Sequence, residues 1–235
     1  MPATLLCDMM SIMDRRTFTF GLGSIAVGVP SLGIAQPEMR PLPRGWNIVP
    51  SIIVLFREDD DPRLPLVRDA AAFWNNTFAE LATKFRLGGL TDVRGVIPVE
   101  DLKMLSTNGT GLPARELPES VRRITGDIIV ALSDGDFISF AARRGDKVLV
   151  AIKNYRLWPL TLPNVARNVI AHELGHAIGL PHNDDPTMLM CGRPAPCRPD
   201  LVASEVEKYF PLSELDKGNL RRMYPPNWRA AQQSN

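Results

Sequence analysis

At 235 residues, 45% of them hydrophobic and 23% charged, the chain can fill one domain with a full core and lacks the composition of a disordered protein. Its formal charge is +1, and acidic and basic residues alternate along most of the chain. That balance excludes a polyanion-binding stripe, so nucleic acid is not an expected partner.

The first 35 residues read as an export signal. Arg15 and Arg16, followed by Thr17 and Phe18, precede the apolar run GLGSIAVGVPSLGIA, which closes on the small residues Gly33 and Ala35. This order of charged, apolar and small-residue regions is that of a twin-arginine signal cleaved after Ala35, with a retained anchor as the alternative. Glycines and Pro30 break the run, which is too short for a comfortable membrane span. The mature protein is therefore expected to be periplasmic or extracellular, monomeric and without a stable span. Residues 1–12 fit no signal pattern, which makes Met13 a candidate start. Cleavage would remove Cys7 and leave Cys191 and Cys197, an even pair compatible with a disulfide closing CGRPAPC. Free thiols are the alternative.

Residues 36–45 form a proline-rich, extended lead. WNIVPSIIVLFRE then reads as a strand, with Pro50 favouring an edge or a kink near its start. From Asp61 to Phe85, Leu66, Ala70, Phe73, Trp74, Phe78 and Leu81 recur at helical spacing and predict a long amphipathic helix packed on the sheet. TDVRGVIPV follows as a strand, VEDLKMLS as a short helix and LPESVRRIT as another helix opened by Pro118. GDIIVALS is a clear strand, and FISFAARRGDKVLVAIK forms a hairpin turning at Arg144-Gly145-Asp146. Asp134 and Asp136 in the turn SDGDF could ligate calcium, but a calcium site needs 6 to 8 oxygens and a solvated turn is the better reading. Tyr155 and Trp158 are candidates to line a cleft. LPNVARNVIAHELGHAIG is helical in period, with Val165, Val169, Leu174 and Ile178 on the buried side. Gly179 ends it in a left-handed turn, and Pro181 prevents continuation. SELDKGNLRRMY is a last helix whose apolar stripe is Leu215, Leu220 and Met223, stopped by Pro225-Pro226.

The chain has three histidines, His172, His176 and His182, all within eleven residues. Four residues apart on a helix, His172 and His176 present their imidazoles side by side. The turn at Gly179 brings His182 to the same ion, giving a three-histidine zinc site whose fourth position stays open, as catalysis requires. Glu173 points about 100° away from the pair and can take a proton from a water at the metal. The pattern HExxHxxGxxH fixes five positions and would arise by chance in such a chain with a probability of ~10⁻⁵.

HELGHAIGLPH followed by DPTMLM resembles the metzincin clan of zinc metallopeptidases, and within it a bacterial matrixin-type enzyme. PLSELDKGNLRRMYPP is similar to the matrixin C-terminal helix, AAAFWN to the first helix and GDIIVAL to the central strand. The resemblance implies a catalytic domain over 46–226, followed by a tail at 227–235. Its fold is α+β with an α/β-like character: a twisted, mostly parallel sheet with an antiparallel edge strand, an active-site helix beneath it and a C-terminal helix after a methionine turn. It assigns the turn methionine to Met190, with Met188 as the alternative, and makes Asp216, matched together with Tyr224, the support of that turn. The edge strand that binds an extended peptide lies within Phe137 to Ile152. The helix from Asn164 and the loop from Met188 to Asp200 would form the pocket for the residue after the scissile bond. Asn183 stands where matrixins usually carry serine, and no tyrosine two residues beyond the turn methionine offers a fifth ligand. With no histidine left over, a second, structural zinc is not expected. The implied activity is that of an exported zinc endopeptidase acting on peptides or proteins. A zinc-binding module without turnover and an amidase acting on a nonpeptide or cell-wall substrate are the alternatives.

Overall fold

The computed structural model describes residues 45–107, 117–192, 197 and 206–231. The export signal with Cys7 and Met13, the proline-rich lead before Gly45, most of the loop after Gly192 and the last four residues of the tail lie outside the described residues.

Five strands, β1 (Ile52–Phe56), β2 (Leu90–Arg94), β3 (Ile128–Leu132), β4 (Phe140–Arg144) and β5 (Lys147–Ile152), form one sheet in the order β2-β1-β3-β5-β4. All neighbours are parallel except the outermost pair, where β4 runs antiparallel to β5. The hairpin reverses at Gly145, whose φ of +59° is the left-handed conformation glycine adopts without steric cost. The mixed α/β architecture, a mostly parallel sheet with one antiparallel edge, is the one expected, and β4 is its edge strand on the cleft side.

The three central strands are apolar at nearly every position because both faces are covered. Ile52, Val54 and Phe56 of β1, with Ile128, Val130 and Leu132 of β3, pack against α1 (Arg63–Glu80) and α4 (Pro163–Ala177). The alternate residues Leu55, Ile129, Ala131, Leu149 and Ala151 face the other way, onto α2 (Val99–Thr107) and α3 (Glu119–Arg122). This period-2 division places α1 and α4 together on one face, with Trp74 of α1 fully buried between them. The Trp74 indole N–H donates to the Ala171 carbonyl at 3.0 Å, which pins α4 one residue before His172.

The last helix, α5 (Glu214–Met223), differs from its expected stripe. Leu220 is buried, but Leu215 is 61% exposed, and the inward positions belong to Asp216, Asn219 and Tyr224. A buried carboxylate with hydrogen-bond partners takes the place of an apolar residue, a substitution that periodicity cannot reveal. Val169 of α4 and Phe73 of α1 are likewise only half-buried. At the start of α1, the buried Asp61 holds Arg63, whose guanidinium donates to the carbonyls of Ser133 and Lys153. That clamp ties the ends of β3 and β5 to α1. No helix among the described residues is long and apolar enough to cross a membrane.

Candidate metal centre

Helix α4 starts with Pro163 in its first turn and ends in a Schellman motif. Gly179 N–H bonds the His176 carbonyl at 3.0 Å, Leu180 N–H bonds the Gly175 carbonyl at 2.9 Å, and Gly179 takes φ +104°. The chain thus reverses immediately after the helix and carries His182 back over it. The three Nε2 atoms form a triangle with sides of 3.0 Å (His172 to His176), 2.9 Å (His176 to His182) and 3.2 Å (His172 to His182). Imidazoles about 2.0–2.1 Å from one tetrahedral ion would have nitrogens about 3.3 Å apart. The triangle lies within about half an ångström of that spacing.

Two backbone carbonyls decide what these rings can bind. His172 Nδ1 lies 2.7 Å from the Leu189 carbonyl, and His176 Nδ1 lies 2.7 Å from the Leu180 carbonyl. A carbonyl only accepts, so each Nδ1 carries the hydrogen and each neutral ring presents a bare lone pair at Nε2. Two such lone pairs facing each other at 3.0 Å repel unless a cation lies between them. Burial of its ring, then the neighbouring His182 imidazole, lowers the pKa of His176 from 6.5 to about 4, against the opposing effect of the Leu180 carbonyl. The site therefore keeps this imidazole deprotonated well into acid.

Glu173 is buried and lines a cleft of about 520 Å³ together with His176, His182, Phe140, Ala141 and Arg143. One wall is the edge strand β4, and the other is the end of α4 with its turn. Met190 is fully buried beneath the helix, whereas Met188 is half-buried. A Cβ at Gly175 would sit 2.5 Å from the Met190 sulfur and 2.9 Å from the Trp74 ring, so the glycine between the two helical histidines makes room for that thioether. Cys191 and Cys197 are joined by a disulfide immediately after Met190.

Asp216 does not touch Met190 by a hydrogen bond of its own carboxylate. Its Oδ2 accepts from the Asn183 side-chain N–H at 2.8 Å and from the N–H and hydroxyl of Ser213, closing the capping box of α5. Asn183 in turn bonds the Met190 carbonyl through its own N–H at 2.8 Å and accepts from Gly192 N–H at 3.0 Å. Tyr224 donates its hydroxyl to the Ile178 carbonyl at 2.8 Å, and burial raises its pKa far above the usual phenol value. The Trp46 indole N–H donates to the Ala177 carbonyl at 2.9 Å, and the Arg143 guanidinium stacks over that indole. Trp46, together with Arg143, which donates to the same Ala177 carbonyl at 3.1 Å, and Tyr224 thereby satisfy carbonyls at the end of α4 that the helix itself does not bond.

Several functional contacts were not foreseen from the sequence. Gly192 lies flat against His182: a Cβ there would fall 2.3 Å from His182 Cγ. The roles of Asn183 and Trp46 also emerge only from the fold. Asp134 and Asp136 of the candidate calcium turn pair with Arg57 and Lys153. Tyr155 sits under the guanidinium groups of Arg63 and Arg156, and Trp158 is 63% exposed, so neither forms part of the cleft wall.

The fold and site together define a three-layer α/β domain with a histidine triad beside an edge strand. No family model matches the sequence, and no curated protein does. Among solved structures, the chain is similar to an archaemetzincin from Methanopyrus kandleri at 19% identity, over 75% of this chain and 96% of that one, with a TM-score of 0.45.

Proposed function

We propose that the chain is a zinc-dependent endopeptidase, exported under the signal expected over residues 1–35. The observation that carries this reading is the convergence of three Nε2 atoms within 3.2 Å of one another, two of them held as lone-pair donors by backbone carbonyls. All-nitrogen donors in this arrangement suit zinc, and three protein ligands rather than four leave a position for chemistry. Calcium, which takes oxygen ligands, does not fit this donor set. When bound there, zinc supplies Lewis acidity, polarising the carbonyl under attack and acidifying the attacking water.

The chain's own residues do the rest. Glu173, in the cleft beside His176 and His182, takes the proton from the water and returns it to the leaving amine. Strand β4 offers the backbone groups of its free edge to an extended peptide, which fixes the scissile bond along the cleft. Met190 has no chemical step and forms the soft floor under the helical ligands. The disulfide at Cys191 supports an oxidising compartment.

Glu173→Gln tests the assignment. The variant should retain zinc and lose peptide hydrolysis by about 10²–10⁴-fold, measured on a library of quenched fluorescent peptides. Retention of most of the activity would remove Glu173 from the mechanism.

A further inference from the structure

We infer that Asn183 is a positioning residue for the metal ligand beside it, acting through Asp216. The inference rests on the zinc reading above and concerns how the third ligand is held. His172 and His176 ride on α4, where the helix and the carbonyls of Leu189 and Leu180 orient their rings. His182 is carried by a loop and is exposed, so its backbone must be held by neighbours if the site is to be formed before metal arrives.

Asn183 supplies that hold from four directions. Its main-chain N–H and carbonyl bond to Met190 and Gly192, forming a short parallel bridge with Cys191. Its side-chain oxygen accepts from Asp185 N–H at 3.1 Å, which closes the loop on the far side of His182. Its side-chain N–H donates at 2.8 Å to Asp216, which is 1% exposed and is itself fixed by the capping box of α5. The residue is buried, and the amide-to-carboxylate bond links it to a regular element more than thirty residues away. A histidine ligand held in place beforehand loses little freedom on binding, whereas a mobile one must be ordered at the cost of affinity. Partners of metal ligands of this kind change affinity by about 10–100-fold.

The test measures zinc affinity by competition with a chromogenic chelator, and melting temperature with and without zinc, on the full chain. Asn183→Ala removes both side-chain bonds and adds no repulsion; it should weaken zinc binding about 10–100-fold and shrink the zinc-induced rise in melting temperature. Asn183→Asp sets two acceptor oxygens against each other with no hydrogen between them and should bind more weakly still. Asp216→Asn can keep an oxygen where Oδ2 now accepts from Asn183 and Ser213, so its zinc affinity should stay within a few-fold of the parent. A merely structural Asn183 would lower the metal-free and zinc-loaded melting temperatures equally, leaving the affinity unchanged, and that result overturns the inference. Equal losses in Asn183→Ala and Asp216→Asn would overturn the assigned bond. A parent chain that binds no zinc would instead remove the metalloenzyme reading on which the inference stands.

Discussion

Replacing Gly192 with alanine should cost the protein its metal and leave its fold standing. The added Cβ would lie 2.3 Å from His182 Cγ and 2.6 Å from His182 Cβ and Nδ1. Carbon atoms pack at about 3.5–4.0 Å, so the ring must retreat by about 1 Å or more. A change of χ1 carries Cγ and Nδ1 away but leaves Cβ in place at 2.6 Å, so the His182 backbone must shift along with the ring. Ligand bonds tolerate about ±0.2 Å, so a displacement of that size removes the third ligand. Zinc affinity should fall by at least about 100-fold, beyond what loss of a supporting hydrogen bond produces. The cost to the metal-free fold should sit at the low end of the ~1–3 kcal/mol typical of overpacking, because His182 is exposed and can swing into solvent. Chelator competition gives the first quantity and urea unfolding of metal-free protein the second. Unchanged zinc affinity would refute the packing argument, and a large loss of metal-free stability would show that Gly192 supports the fold rather than the ligand.

Other consequences are separately measurable. His176 is neutral in the folded chain down to about pH 4 but titrates near 6.5 when unfolded. The unfolded state therefore binds the extra proton first, and this residue's contribution to metal-free stability is lost as pH falls from 6.5 to about 4. Thermal melts across that window should show the decline, which should disappear in His176→Phe. Arg63→Met would leave the buried Asp61 without its charged partner, keeping only the main-chain N–H of residue 63, and should cost about 3–5 kcal/mol in urea unfolding, with no change in the zinc affinity of the folded protein. Cys191→Ser with Cys197→Ser opens a loop of six-residue separation and should cost about 2 kcal/mol by the chain-entropy relation. An unchanged midpoint in oxidised protein would show that the bridge does not constrain the unfolded chain.

What could be read from the sequence was local. The spacing of His172 and His176, the glycine that reverses the chain and the single-faced apolar period of α1 all express geometry repeated within one or two turns. The three central parallel strands, β1, β3 and β5, announced themselves by continuous apolar runs, since both of their faces are buried, whereas the exposed parallel edge strand β2 carries no such run. The rest depended on distant partners. Trp46 reaches Ala177 across 131 residues, and Asn183 reaches Asp216 across 33, with no sequence pattern marking either pairing. Polar residues on buried faces were invisible for the same reason. Asn168 of α4 is fully buried because its amide donates to the Lys208 carbonyl and accepts from Phe210 N–H, a role that an apolar-stripe reading assigns to its neighbour Val169. Gly192 carried no signal, because its requirement is space beside a ring rather than a left-handed backbone.

The central claim, one cation shared by His172, His176 and His182 with catalysis at its open side, is tested most directly by measuring metal content and peptide cleavage in a single preparation. Both should be followed through chelation and zinc readdition. One zinc per chain is expected, with cleavage lost on chelation and restored by zinc. A chain that cleaves peptides equally well when stripped of metal, or that purifies and reconstitutes without zinc, would contradict the account.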